Sequence, residues 1–449
     1  MGKLFGTDGI RGIANTELTC ELAFTVGKAL VSVLKKADKD RSTFVIGCDT
    51  RRSSDMLSAA VISGACSAGA DTVFIGCSPT PAIAYLTKTH AFDAGIMISA
   101  SHNPAEYNGI KIFGTDGIKL PDQLEDEIEK IIAEHSPLPS PDGLGIGKAL
   151  FHAEDYLSEY IEYLKKTVSH RLDGLNIAVD CANGSTAFIA EKLFSQLGAT
   201  VYALSSSPNG DNINENCGST HLENLKAYMR THRPDAGFAF DGDGDRCMCV
   251  DSDGNEIDGD RIMAICALDM KRNGKLNNNA VVGTVMTNLG FARFCQDNGI
   301  KFVATKVGDR FVSEEMRRGD FALGGEQSGH IIFREHSTTG DGLLTALQLL
   351  SVIKNSGRTA QELSSVMKVY PQITVNLHAN ESSKARLLSD PDIKKAIKTA
   401  SDLLSPNGRL LVRPSGTEPL IRIMAEGTDE QFISEIANDL ASQLRSALK

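Results

Sequence analysis

No stretch of this chain reaches the roughly eighteen consecutive apolar residues of a membrane span, so no membrane partner is expected. No CxxC pair occurs among the ten cysteines, which removes the usual zinc spacings. The cysteines are scattered, mostly inside apolar runs such as FVIGCD and TVFIGC, as befits the free thiols of a reduced cytoplasmic protein. Cys247 and Cys249 flank Met248 in a strand-like run, where same-face spacing reads as core packing. An excess of positive charge is also missing: the formal net charge is -11. Nucleic acid is therefore not expected as the main partner, whereas a small phosphorylated ligand needs only a local cluster of cations and N–H groups. A Walker A loop is absent too. GLGIGKA (143–149) has the Gly-Lys pair but neither the glycine spacing nor the closing Ser or Thr. The opening MGKLFGTDGI has no long apolar stretch and no Ser or Thr at position 6, so neither a secretory leader nor myristoylation is expected.

What is present is an ordinary soluble composition, 41% hydrophobic and 23% charged, over 449 residues. That length suits three or four domains of about 100–200 residues each. Strand-like and helix-like runs alternate through the first third: TFVIGCD (43–49), a helix over 53–69, TVFIGC (72–77), PAIAYLTKT and AGIMIS (94–99). Such alternation predicts an α/β fold with a largely parallel sheet. A Pro-, Gly- and Ser-rich stretch, SPLPSPDGLGIG (136–147), marks a boundary. The pattern then restarts with NIAVDCANG, a helix over AFIAEKLFSQLGA, TVYALSS and AGFAFD, and again near 254 with AVVGTV and FVATKV. Three successive α/β blocks suggest a diverged repeat. From about 368 the order becomes strand, helix, two strands, helix, a smaller α+β unit. The domains expected are thus 1–150, 151–253, 254–367 and 368–449.

Four polar loops carry the chemistry. SASHNPAEYNGIKIF (99–113) follows an apolar strand, where open parallel sheets place ligands. It offers Ser101 as an exposed nucleophile, His102 and Lys111 as proton carriers, and Asn103 as an orienting donor; an ordinary Asn-Pro turn is the plain alternative. DGDGDRC (241–247) sets Asp241, Asp243 and Asp245 at alternate positions, and their repulsion calls for a cation. Hard oxygen donors suit Mg²⁺ or Ca²⁺. Arg246 at the sixth position and Ser252 at the twelfth exclude an EF-hand. GGEQSGH (324–330) presents Glu326, Ser328 and His330, which could read sugar hydroxyls or form a plain turn. RPSGTEPLIR (413–422) gathers Arg413, Ser415, Gly416, Thr417 and Arg422, a suitable phosphate cradle or a simple hairpin. Arg11 in FGTDGIRG (5–12), the pair in CDTRRSS (48–54), and Asp309 and Arg310 in KVGDR (306–310) complete the candidates.

Taken together, the chain resembles the α-D-phosphohexomutase superfamily over essentially its whole length, with SASHNP and DGDGDR the most specific motifs. The resemblance implies four domains around a central cleft, three of them related α/β domains. It implies a phosphorylated Ser101 and one Mg²⁺ per chain, held by Asp241, Asp243, Asp245 and the Ser101 phosphate. Arg11, Lys111, His102 and His330 are then catalytic candidates, Lys111 and His330 being those for acid and base. Arg246, Asp309, Arg310, Glu326, Ser328 and the 413–422 loop would bind substrate. VGDRFV (307–312), Gln327 in GGEQSGH and PNGDNINENCGSTH (208–221) resemble the members acting on amino sugars. The implied reaction interconverts glucosamine 6-phosphate and glucosamine 1-phosphate through glucosamine 1,6-bisphosphate, which also acts as activator. The partners implied are a small phosphosugar, a second copy of the chain and a kinase that primes Ser101. The same chemistry on mannose or glucose phosphates, a metal-dependent sugar phosphatase and a non-catalytic phosphosugar sensor are the alternatives.

Overall fold

The computed structural model describes residues 4–6, 8–34, 41–151, 153–414 and 419–448. Two compact units emerge, one formed by Met1–Met286 with Gly299–Val366, the other by Thr287–Asn298 with Met367–Lys449. No helix among the described residues is long and apolar enough to cross a membrane.

The larger unit contains three sheets. The first has seven strands, in the order Phe5–Gly6, Gly9–Ile13, Tyr107–Phe113, Ala94–Ile98, Thr43–Cys48, Asp71–Cys77 and Ala149–Phe151. Its last four strands are mutually parallel, but the first three pair antiparallel. The largely parallel sheet expected for this block is therefore only half right. The cause is that 107–113, read from sequence as part of a polar loop, is a strand. Ile110 and Ile112 point into the core, with Lys111 between them on the opposite face. Thr43–Cys48 lies centrally with both faces covered: Phe44 and Ile46 join the core beside Leu30 and Val61, and Val45 that beside Ile83 and Met97.

The second sheet runs Glu256–Ile257, Cys247–Val250, Ala236–Phe240, Asn176–Asp180 and Thr200–Leu204. Cys247 and Cys249 are fully buried in it, as core packing requires. The helix expected over 187–199 is broken into a short 3₁₀ turn, Ser185–Phe188, and a helix, Ala190–Gln196. The third sheet runs Lys301–Thr305, Ala280–Thr284, Leu323–Gly325 and Ile331–Phe333.

A common plan links these sheets. In each, a central strand that is parallel to one neighbour leads into a polar loop and returns as an antiparallel strand. The three loops so formed are 99–106, 241–246 and 326–330, those that carry the candidate chemistry. The repeat is topological, which is why residue-level periodicity does not display it.

The smaller unit is α+β. An antiparallel sheet, Gln372–His378, Leu420–Gly427, Gly408–Pro414, packs Ile421, Ile423 and Ala425 against helices Pro391–Leu404 and Glu430–Ala447. Residues Thr287–Asn298, which carry helix Leu289–Asp297, group with this unit. The first N–H of that helix donates to Glu426 at 2.9 Å, and the preceding Asn288 bonds the Tyr370 carbonyl at 3.0 Å.

Candidate active site

Ser101 follows the buried strand Ala94–Ile98 in a left-handed conformation, φ 53°. A side chain makes that conformation costly, on the order of 1 kcal/mol, unless its surroundings enforce it. Here the Ser101 N–H donates to Ser99 Oγ at 2.9 Å, and the Oγ donates to Asp241 Oδ2 at 2.5 Å. The expected exposed hydroxyl is instead 1% exposed, because the aspartate loop closes over it.

Asp241, Asp243 and Asp245 follow the wholly buried strand Ala236–Phe240. All three are buried, and one oxygen from each lies within 4.8 Å of the others. Two glycines make the curl. Gly244 adopts φ 68°, and a Cβ on Gly242 would come within 2.7 Å of the Ser101 carbonyl oxygen. Burial and the neighbouring Asp245 and Asp243 carboxylates push Asp241 well above the usual carboxylate range. Burial acts the same way on Asp245, but Lys111 and His330 outweigh it and hold that carboxyl well below. Asp243 Oδ1 and Asp245 Oδ1 are buried without a hydrogen-bond partner among the described residues. Unpartnered buried oxygens in a triad of gathered carboxylates fit a hard divalent cation such as Mg²⁺.

Lys111 reaches Asp243 at 2.8 Å, Asp8 at 3.1 Å and Asp245 at 3.4 Å. Burial alone would lower its pKa, but Asp243, Asp8 and Asp245 together raise it well above the ordinary lysine value. Lys111 is thus a buried cation set among three carboxylates. His102 stands 3.3 Å from Ser101 Oγ. Burial, then Arg246 and Arg11, press its pKa down to about 3, so it is neutral at working pH. Around His330 two observations pull apart. Burial opposes its charge, yet Asp245, Asp309 and Glu326 draw its pKa up to about 9. Against this, Gly340 N–H donates to Nε2 at 3.0 Å and so requires a lone pair there. The hydrogen bond decides: in this arrangement the proton sits on Nδ1, 3.6 Å from Asp245, and no free lone pair remains for a base.

Arg11 contacts Asn103 Oδ1 at 3.4 Å, and Arg246 Nε lies 4.0 Å from Asp241. Glu326 accepts the Gly308 N–H at 3.0 Å, tying the GGEQSGH loop to the start of helix Asp309–Arg318. Ser328 is half-buried on the same loop. Lys119, Asp309, His330 and Thr339 border a cavity of about 400 Å³. Arg310 also lines it, but its guanidinium is committed to Glu125 at 3.0 Å and to Asp122. Gln327 bonds Asp258 at 3.1 Å, a contact that steadies the cap of helix Gly259–Arg272.

In the smaller unit, Arg413 and Arg422 face each other directly across adjacent strands. Burial and the Arg422 charge lower the Arg413 pKa. Ser415, Gly416 and Thr417 lie outside the described residues.

Comparison with known proteins places this geometry. The models of phosphoglucomutase/phosphomannomutase alpha/beta/alpha domains I, II and III match residues 2–138, 158–254 and 258–370, and the C-terminal domain model matches 375–443. The chain belongs to the phosphoglucomutase/phosphomannomutase family. A phosphoglucosamine mutase of Caldanaerobacter subterraneus subsp. tengcongensis is 52% identical over 100% of both chains. One from Thermoanaerobacter sp. is 50% identical, also over 100% of both. Among solved structures, a phosphoglucomutase/phosphomannomutase family protein from Burkholderia thailandensis aligns with TM-score 0.84 and 25% identity, covering 99% of this chain and 97% of that one.

Within this family member, several site residues escape a reading of motifs. Thr80 donates to Asp243 Oδ2 at 2.5 Å. Asp8 pairs with Arg11, Lys111 and Lys119, and Lys119 also pairs with Asp309. A signal for Asp8 and Lys119 does exist. The hexapeptide FGTDGI occurs at 5–10 and again at 113–118, followed by Arg11 and Lys119, and both of these cations converge on Asp8. Thr80 has no comparable signature.

Proposed function

We propose that this chain is a phosphoglucosamine mutase, an isomerase that interconverts glucosamine 6-phosphate and glucosamine 1-phosphate. The carrying observation is the 2.5 Å contact of the buried Ser101 Oγ with an aspartate triad built for a cation. Relatives at 52% and 50% identity that bear this name support the amino sugar as substrate.

Asp241, Asp243 and Asp245, with an oxygen of a Ser101 phosphate, would hold one Mg²⁺, which would draw negative charge from the phosphoryl group. Phosphoryl transfer otherwise depends on position and electrostatics. Lys111 supplies a fixed positive charge beside the triad, and Arg11 and Arg246 lie close to the serine loop. The phosphorylated Ser101 gives its phosphoryl group to the free sugar hydroxyl, forming glucosamine 1,6-bisphosphate. After the bisphosphate turns over, its other phosphoryl group returns to Ser101 and releases the isomer. Glu326 and Ser328 read the sugar hydroxyls and Asp309 borders them; Arg413, Ser415, Gly416, Thr417 and Arg422 are the candidates for binding a phosphate. Keeping water from a phosphorylated Ser101 favours transfer to sugar over hydrolysis. Escaped bisphosphate, or a priming kinase, recharges the serine.

We assign the serine loop to a domain over 1–150, the metal loop to 151–253, the sugar loop to 254–367 and the phosphate loop to 368–449. Ten free thiols, most of them buried, suit the reducing cytoplasm. The test is a coupled assay of glucosamine 6-phosphate turnover beside intact-mass measurement of Ser101 phosphorylation. Release of inorganic phosphate without isomer would reject the proposal.

A further inference from the structure

The carbonyl oxygens of Ser101 and Asn103 each accept hydrogen bonds from the same two side chains. Arg51 Nη2 reaches them at 2.9 and 2.8 Å, and Asn214 Nδ2 at 2.9 and 3.0 Å. The two donors come from different sheets. Arg51 precedes helix Arg52–Ser67 above the first sheet, and Asn214 lies in the PNGDNINENCGSTH segment beyond Thr200–Leu204. Both are buried, at 2% and 6% exposure.

The hold extends to the other side of the serine. Arg51 is paired with the buried Asp49 at 2.9 Å. Asp49 accepts from Ser99 Oγ at 2.6 Å, and that oxygen accepts the Ser101 N–H at 2.9 Å. Ser101 is therefore gripped at its N–H and at its C=O, which accounts for its left-handed backbone. Asn214 is itself left-handed, φ 59°, a conformation asparagine tolerates, and its N–H is fixed by the Ala182 carbonyl at 2.9 Å. Gly242 completes the enclosure, since a Cβ there would lie 2.7 Å from the Ser101 oxygen and 3.0 Å from Asn214 Nδ2. A buried ion pair is poor evidence for stability. Four hydrogen bonds converging on the two carbonyls that flank His102 aim a side chain.

We propose that Asn214, acting with Arg51, is a positioning residue that aims Ser101 Oγ at the Asp241–Asp245 loop for phosphoryl transfer. This rests on the proposed function in taking Ser101 as the phosphoryl carrier. In the step concerned the serine Oγ–P bond breaks, a bond from phosphorus to the sugar oxygen forms, and the sugar hydroxyl proton ends on the serine oxygen. Transfer between two held groups falls steeply with misalignment, on the order of 100-fold for about 1 Å.

Asn214→Asp tests this with little change of shape, since it replaces the donor facing two carbonyls by an oxygen. Its kcat should fall on the order of 100-fold, with KM for sugar phosphate and magnesium affinity within about twofold of wild type. Arg51→Lys, which keeps the charge beside Asp49 but loses the planar fork, should fall likewise. Should Asn214→Asp not fold, Asn214→Gly suits the backbone and carries the same expectation with a smaller drop. Wild-type kcat in the folded Asn214 variants overturns the inference. So does a kcat loss matched by lost magnesium affinity, which would mark general disruption. Wild type assayed alongside on glucosamine, glucose and mannose phosphates keeps the two readings apart. If it isomerises none of them, the proposed function fails; the positioning role is then read from the rate of phosphate loss from Ser101, and equal rates in wild type and Asn214→Asp overturn it.

Discussion

Ser101 Oγ donates to Asp241 Oδ2 at 2.5 Å, and Asp241 is the member of the triad whose carboxyl is pushed up. One hydrogen bond thus joins the hydroxyl that would carry phosphate to the carboxylate most in need of a neutralising partner. Ser101→Ala should abolish isomerisation while costing about 1.5–3 kcal/mol, the range for a hydrogen bond to a charged group. Calorimetric melting and the coupled assay run on one preparation would show this. Residual turnover near wild type would remove Ser101 from the mechanism.

The orphaned oxygens of Asp243 and Asp245 yield a prediction about metal. Magnesium at about one hundred times its Kd should stabilise the wild type by about 2.7 kcal/mol, and chelator should reverse the gain. Asp243→Asn should lose affinity by more than the roughly 10–100-fold typical of groups behind a ligand. Calorimetric melting reads the first and titration calorimetry the second, without reference to activity. Unaltered magnesium binding in the variant would place the ion elsewhere.

What the sequence revealed, and what it hid, follows from range. Ser101 and the Asp241–Asp245 triad were legible because a short polar motif sits directly after an apolar strand. Lys111 was legible as a residue but not as strand, since Ile110 and Ile112 alone mark the alternation in a run that opens with Tyr107, Asn108 and Gly109. Arg310 was legible as a substrate-binding candidate, but its pairing with the distant Glu125 and Asp122 was not. Gln327 drew attention as a substrate-loop residue, yet it faces Asp258. Thr80 lies 163 positions from Asp243, and no local pattern announces such a contact. The FGTDGI repeat was open to inspection, but only the convergence of Arg11 and Lys119 on Asp8 gives it meaning.

Arg413 and Arg422 occupy directly opposed positions on neighbouring strands, where like charges repel. An anion removes that repulsion. Arg413→Ala should therefore raise KM for sugar phosphate about 10- to 100-fold through loss of charged hydrogen bonds, with a smaller effect on kcat. Inorganic phosphate should protect the wild type against thermal unfolding more than the variant. Equal protection of both would show that this pair does not hold the phosphate.

Asp341 provides a pH dependence. It is buried, accepts from Tyr160 OH at 2.6 Å and from the Leu344 N–H at 2.9 Å, and caps helix Gly342–Ser356. Burial outweighs those bonds and raises its pKa from 3.8 to about 6. An acid whose folded pKa lies above its unfolded value favours the folded state when protonated. That contribution is complete below the unfolded value and is lost as pH rises through the folded one. Asp341→Asn keeps an oxygen for the cap but cannot ionise. Between about pH 5 and about pH 8 the stability difference should therefore move by about 1 kcal/mol in favour of the variant. Denaturant unfolding at both pH values, with magnesium held constant, measures that difference. A constant difference would mean that Asp341 titrates as an ordinary carboxylate despite its burial.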